Sequence, residues 1–176
     1  IHSVVCRFGI PTLDQPGFRD NSKLCGGALW DVATYTTSAV LSLFPNQQVE
    51  VLFSEVLTKE NSSVDTEGRA VLRFSKGTTV YLEWGIGLAY KNEIDLWAED
   101  GSFFTDKIFS KPKEYQPQYK IRDINGNESV ENGEQSEQFI DMLTYFVEIM
   151  NDREKAAVER KNILQQAKLM NDIVNF

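Results

Sequence analysis

The 176-residue sequence has few cysteines, a single histidine and no excess of positive charge. Two cysteines, Cys6 and Cys25, are too few for a disulfide framework, so we expect a reduced, cytoplasmic chain. One histidine excludes a histidine-rich metal site, and no metal is predicted. The 18 basic and 26 acidic residues give a net charge of −8, which disfavours nucleic acid as a partner.

The sequence also lacks a long apolar run. No segment approaches the roughly 20 apolar residues that a membrane-spanning helix needs, and no basic and apolar leader is visible, so neither membrane association nor export is expected. The composition, 41% hydrophobic and 25% charged, is that of a single globular domain spanning residues 1–176. Because the chain begins at Ile1 and a strand pattern starts there, we interpret it as a piece of a longer polypeptide.

Apolar and polar residues alternate in several short segments, which predicts strands. The predicted strands are 1–10, 49–58, 69–74, 80–84, 94–98 and 102–105, followed by a hairpin over 119–130. In the second strand the pattern places Val49, Val51, Phe53 and Leu57 on one face. The strands between residues 49 and 105 are close together with no helix between them, which predicts an antiparallel meander.

Helical spacing of apolar residues occurs in three places. One helix is predicted from Ala28 to Phe44, and two more over about 135–150 and 153–174. Asn151-Asp152 is a candidate cap for the last helix. Its apolar stripe is predicted to consist of Ile163, Ala167, Met170 and Val174.

The fold class predicted from these elements is α+β: a large, mostly antiparallel sheet with helices packed on one face. The opposite face is expected to remain open. Tyr81 and Trp97 lie there among acidic residues, namely Glu83, Glu93 and Asp95. This mixture predicts a partly apolar surface that is available for dimerisation.

The helix that follows Gly26-Gly27 carries two candidate site residues. Asp31 and Tyr35 are four residues apart, so an α-helix would place them on one face. The paired glycines would allow close approach of a ligand and leave free N–H groups at the helix start. A phenol held by a carboxylate can transfer a proton to a sugar oxygen. Alternatively, Asp31 favours the helix dipole and Tyr35 is a half-buried aromatic, and spacing alone leaves both interpretations open.

The segment from Cys25 to Tyr35 resembles the G-G-G-A-L-x-D-x-G-x-Y/H signature of the Gfo/Idh/MocA oxidoreductases. The matching residues are Gly26, Gly27, Ala28, Leu29, Asp31 and Tyr35. The order of elements also resembles the C-terminal half of that family. The resemblance implies that the sheet mediates a homodimer or a higher homo-oligomer. It also implies that the signature helix lines a sugar pocket, with Tyr35 as proton donor or acceptor. Asp31 would contact the substrate or orient Tyr35, and Gly26 and Gly27 would border the substrate.

The same resemblance implies a cofactor, NAD or NADP, bound mainly by a Rossmann domain that this sequence lacks. The family's Glu-Lys-Pro lysine is also absent, so the chain alone is expected to be inactive. Cys25 replaces the first glycine of the signature, and Ala33 stands where glycine is common. We expect the intact protein to be an oxidoreductase acting on a sugar or a nucleotide sugar. The alternative is a non-catalytic assembly module within a multidomain sugar-biosynthesis protein.

Overall fold

Eight strands form one sheet in the computed structural model, which describes residues 1–176. The strands are β1 (Ser3–Ile10), β2 (Val49–Leu57), β3 (Glu67–Phe74), β4 (Thr79–Ile86), β5 (Lys91–Trp97), β6 (Gly101–Asp106), β7 (Gln118–Asp123) and β8 (Glu128–Asn132). The helices are α1 (Thr34–Leu43), α2 (Gln138–Met150) and α3 (Arg153–Val174). A π-helical turn, Leu29–Ala33, leads directly into α1. The predicted α+β class with a mostly antiparallel sheet is confirmed.

The strand order is β2-β3-β4-β1-β5-β6-β7-β8. The predicted antiparallel meander is confirmed for β2-β3-β4 and for β5-β6. It is wrong between β4 and β5, because β1 lies between these two strands and runs parallel to β4. The connection from β1 to β4 contains α1, β2 and β3 and is therefore long enough for a parallel pair. Strand β1 occupies a central position because its apolar residues, Val4, Cys6 and Phe8, are all buried against the helices.

A β-bulge divides β2 into two parts. The pairing of β2 with β3 shifts between Val51 and Phe53, so side chains beyond the bulge exchange faces. Phe53 is consequently exposed on the opposite face from Val49 and Val51. The alternation had predicted all three residues on one face, and that prediction is wrong for Phe53. Ser54 points to the helical side instead, where its hydroxyl donates to the Ile173 carbonyl at 2.7 Å.

Helices α1 and α3 cover one face of the sheet and enclose the core. The core contains Val4, Leu72, Phe74, Val80, Leu82 and Trp84 from the strands. Helix α3 buries Leu169, Met170 and Ile173, whereas Ile163 and Val174 of the predicted stripe are exposed. The predicted stripe is therefore confirmed at Met170 and wrong at Ile163, Ala167 and Val174, because the helix packs the neighbouring line of residues against β2 and α1. The predicted cap is confirmed: the Asp152 carboxylate accepts from the Glu154 and Lys155 amides.

Two surfaces remain apolar and exposed. Helix α2 has no buried residue, and its large apolar side chains, among them Phe139, Leu143 and Phe146, are exposed. The sheet face opposite α1 is also uncovered, with Tyr81 and Trp97 exposed as predicted. We call this second surface the open face. No helix of the chain combines the length and the apolar character that crossing a membrane requires.

Candidate functional site

The start of the helical segment is built on close backbone contacts. A Cβ atom on Gly26 would lie 2.5 Å from the carbonyl oxygens of Phe18 and Arg19, so only glycine fits there. Gly27 adopts φ +112°, in the left-handed region. Cys25 also has a positive φ, 55°, which a non-glycine residue adopts at a cost. The glycine of the family signature would carry no such cost at position 25.

The amides of the two glycines are already engaged within the chain. Gly26 donates to the Asn21 carbonyl at 3.0 Å, and Gly27 donates to the Arg19 carbonyl at 2.9 Å. The expectation of free N–H groups at these glycines is therefore wrong. The loop that contains Arg19 folds back over the helix start, and its backbone carbonyls accept the hydrogen bonds from both glycine amides. The glycines allow this loop to approach.

Asp65 takes up the next two donors from a different part of the chain. Its carbonyl accepts from the Ala28 amide at 3.0 Å, and its carboxylate oxygen Oδ2 accepts from the Leu29 amide at 2.6 Å. Burial raises the pKa of Asp65 above its ordinary value, and the hydrogen bonds from these amides partly offset that shift. Asp65 thus caps the helix start although it lies 36 residues after Leu29 in the sequence. The sequence motif contains no signal for it.

Asp31 is held by an ion pair rather than by Tyr35. Arg19 Nε donates to Asp31 Oδ2 at 2.6 Å, and both side chains are partly buried. The Arg19 guanidinium also lies 4.7 Å from the centre of the Phe18 ring. Arg19 was missed from the sequence because it lies in a loop without periodicity, and only the fold brings it to the helix.

Tyr35 stands on an aromatic base. Its ring makes edge contacts with Phe8 and Phe109, with ring centres 5.1 Å and 5.9 Å away, and those two rings are 5.1 Å apart. The tyrosine is 45% exposed, and no hydrogen bond within the chain engages its hydroxyl. The ring is thus restrained while the hydroxyl is free to contact a ligand. Phe8 lies within the strand predicted over residues 1–10, whereas Phe109 lies in a segment for which no helix or strand was predicted.

The structure does not join Asp31 and Tyr35 by a hydrogen bond, since Arg19 holds the carboxylate. Asp31 lies within the π-helical turn, a feature often found at functional sites, and Tyr35 lies in the first turn of α1. A cleft of about 210 Å³ near the end of β1 is lined by residues that include Phe8, Arg69 and Glu83, but by neither Asp31 nor Tyr35. The arrangement at the signature helix offers one fixed carboxylate and one unbonded phenol on a largely open surface. A carboxylate can accept a hydrogen bond from a hydroxyl group, and a free phenol can donate or accept one.

Comparisons with known proteins agree with this architecture. A family model, the GFO/IDH/MocA C-terminal domain, matches residues 1–104. The dTDP-3,4-didehydro-2,6-dideoxy-alpha-D-glucose 3-reductase of Saccharopolyspora spinosa is 32% identical over 114 residues, covering 65% of this chain and 34% of that protein. The protein of the same name from Actinomadura kijaniata is 29% identical over 117 residues, covering 66% and 35%.

Two solved structures show the same fold. A 3-ketoreductase from Actinomadura kijaniata, in complex with NADP and TDP-benzene, superposes with a TM-score of 0.87 at 23% identity, covering 99% of this chain and 53% of that one. The aldose-aldose oxidoreductase of Caulobacter crescentus, complexed with glycerol, gives a TM-score of 0.83 at 19% identity, covering 99% and 52%. This chain thus spans about a third of the curated relatives' length and about half of these solved chains.

Proposed function

The chain belongs to the GFO/IDH/MocA family, in which it forms the C-terminal domain, and from that membership we propose that it is the substrate-binding half of an NAD(P)-dependent oxidoreductase acting on a sugar or nucleotide sugar. The observation that carries the proposal is the state of Tyr35. Its ring is fixed by Phe8 and Phe109, and its hydroxyl is exposed and unbonded. A phenol in this state is suited to exchange a proton with a substrate oxygen.

The glycine pair of this chain that is spaced like a dinucleotide-binding loop does not have the required structure. Gly85-Ile86-Gly87 ends β4 and is followed by β5 rather than by a helix, so the phosphate-binding helix start is missing. The cofactor, NAD or NADP, would therefore be bound mainly by a domain outside this chain. The NADP named for the Actinomadura structure favours NADP. Without that domain, the chain alone would be inactive. We place the protein in the cytoplasm, which agrees with two cysteines that are both free.

We assign distinct roles to the residues of the signature. Tyr35 would donate a proton to, or accept one from, the reacting sugar oxygen. Asp31, fixed and charge-balanced by Arg19, would accept a hydrogen bond from a neighbouring sugar hydroxyl. Gly26 and Gly27 would border the substrate without donating hydrogen bonds to it, because their amides are already bonded within the chain. Their role would be to keep the helix start compact. The dTDP-sugar named for the curated relatives favours a nucleotide sugar over a free sugar.

The test uses the full-length protein with NADPH and, as the probe substrate, the dTDP-3,4-didehydro-2,6-dideoxy-alpha-D-glucose named for the relatives. Tyr35→Phe is expected to lower kcat/KM at least about tenfold, a barrier increase of about 1.4 kcal/mol, because the proton carrier is removed. Tyr145→Phe is the matched control, since Tyr145 is also 45% exposed and lies on a helix, α2. A Tyr35→Phe enzyme that keeps its kcat/KM within a factor of about two of the wild type would contradict the proposal.

We also propose that the open face is the interface between two copies of the chain. Assembly of subunits would then be a second role of this domain. Phe53, Tyr81 and Trp97 are exposed there, and Arg7 lies among them paired with Glu83. Sedimentation at micromolar concentration is expected to show twice the 20.1 kDa monomer mass. Tyr81→Lys should shift the species to the monomer, because it places a charge in the proposed interface. A wild-type monomer, or a dimer that survives this substitution, contradicts the sheet interface.

A further inference from the structure

Asn92 is a buried amide of β5 whose hydrogen bonds serve a loop and not the sheet. The side chain is 3% exposed. Its Oδ1 accepts from the Phe109 amide at 3.0 Å, and its Nδ2 donates to the Ser110 carbonyl at 2.9 Å and to the Tyr90 hydroxyl at 3.0 Å. Both donors of the amide and one acceptor site of its oxygen are thus used at this corner of the molecule.

The loop that Asn92 holds follows β6. The Lys107 amide donates to the Asn92 carbonyl at 2.6 Å, and Lys107 itself has φ +52°. The backbone of residues 108–110 makes its hydrogen bonds only to Asn92 and to the Tyr90 hydroxyl, which lies 3.4 Å from the Ser110 carbonyl. A strained residue at the start of this loop and a single amide in its middle therefore fix its path.

This loop carries one wall of the aromatic base under Tyr35. Phe109, whose amide Asn92 binds, packs its ring against both Phe8 and Tyr35. Phe8 is held by its own strand, so it needs no further support. The position of Phe109 depends instead on a loop, and the loop depends on Asn92.

We propose that Asn92 is a positioning residue for Tyr35, which it restrains through Phe109. The proposal rests on the proposed function in so far as Tyr35 acts on the substrate. An amide is needed because it donates and accepts at once. A carboxylate at this position can accept from the Phe109 amide but cannot donate to the Ser110 carbonyl. The substitution Asn92→Asp therefore breaks one half of the clamp with almost no change in volume.

The first test follows Tyr35 in the chain itself, labelled with 3-fluorotyrosine. The chain has six tyrosines, and the Tyr35 resonance is the one lost in Tyr35→Phe. Asn92→Asp is expected to shift and broaden the Tyr35 resonance while leaving those of Tyr81 and Tyr145 unchanged. Exchange of the Phe109 amide should also accelerate about fivefold to tenfold, because the loop opens more often once the buried hydrogen bond to the Ser110 carbonyl is lost. Phe109→Leu should move the same Tyr35 resonance while it keeps the bond from the residue 109 amide to Asn92, so it keeps the link from Phe109 to Tyr35 testable if the Asn92 variants fold poorly.

Thr78→Val is the matched control for general destabilisation. Thr78 is also a buried polar residue, and its hydroxyl donates to the Ile1 carbonyl, away from the Phe109 loop. This variant should leave the Tyr35 resonance in place. In the full-length enzyme, Asn92→Asp is expected to lower kcat several-fold with KM nearly unchanged. The inference would be overturned if Asn92→Asp accelerates exchange of the Phe109 amide but leaves both the Tyr35 resonance and kcat unchanged. Full activity of Tyr35→Phe would overturn the proposed function alone, because the resonance measurement needs no turnover.

Discussion

The substitution Gly27→Ala tests whether Gly27 is required for packing at the helix start, because a packing role predicts a loss of stability even when no ligand is bound. In the structure, a Cβ atom there would overlap Oδ1 of Asp65, the carboxylate that caps the helix start. The residue also has φ +112°, where side chains other than hydrogen are strained. Gly27→Ala should therefore displace the Asp65 cap and strain the backbone, with no substrate present.

The magnitude follows from these two costs. Backbone strain at a positive φ amounts to about 1–2 kcal/mol, and loss of a helix cap to about 1–2 kcal/mol. Gly27→Ala is thus expected to lower the free energy of unfolding by about 2–4 kcal/mol. Asp65→Ala removes the cap and also the overlapping atoms. In that background Gly27→Ala should cost only the strain, which leaves a coupling free energy of about 1–2 kcal/mol between the two positions.

The assay is urea unfolding of the wild type, the two single variants and the double variant, followed by tryptophan fluorescence. Gly77→Ala is the control, because Gly77 has φ +95° but no atom within 4 Å of its Cβ position. It measures the strain alone. If Gly27→Ala costs no more than Gly77→Ala, or costs the same with and without the Asp65 carboxylate, the packing role of Gly27 is refuted.

Three further predictions follow from the thiols and from the ion pair. Burial raises the pKa of the Cys6 thiol from 9.0 to about 12, so the folded state holds the proton more tightly. The contribution of this pKa difference to the free energy of unfolding is fully present below pH 9. Between pH 9 and 12 it falls by about 1.4 kcal/mol per pH unit. Cys6→Ala should not show this fall when unfolding by urea is measured at alkaline pH. Cys25 is exposed and Cys6 buried, so a thiol reagent should modify one cysteine of the native chain, and modification of both would contradict the packing of β1. Arg19→Ala leaves Asp31 partly buried without its partner and should lower the free energy of unfolding by about 1–3 kcal/mol, whereas an unchanged value would show that the pair does not form in solution.

The strands were predictable because alternation is a local signal. Ala70, Leu72 and Phe74 of β3, for example, are buried as their spacing predicted. The bulge before Phe53 was not predictable, since one extra residue in a strand leaves the composition unchanged while it exchanges the faces. The predicted stripe of α3 is correct only at Met170 for a related reason. A long amphipathic helix offers more than one apolar line, and packing against β2 selects the one with Leu169 and Ile173.

The candidate site was predictable only in part. Its own segment marked Asp31 and Tyr35, because a motif is a local pattern. The residues that position them come from elsewhere: Arg19 from a loop 12 residues before Asp31, Asp65 from a position 36 residues after Leu29, and Phe109 from the loop after β6. No periodicity links these segments. Only the fold places them around the helix start.

The parallel pairing of β1 with β4 is what gives Tyr35 its aromatic base. Because β1 lies between β4 and β5, Phe8 projects from the centre of the sheet directly under the first turn of α1. The neighbouring strand β5 places Asn92 opposite Phe8 in register, so the amide that holds the Phe109 loop arises beside the ring that Phe109 packs against. In an unbroken meander β4 would pair with β5, and neither Phe8 nor this juxtaposition would exist at that place. The one topological feature that the sequence pattern did not predict is therefore the feature on which the geometry around Tyr35 depends.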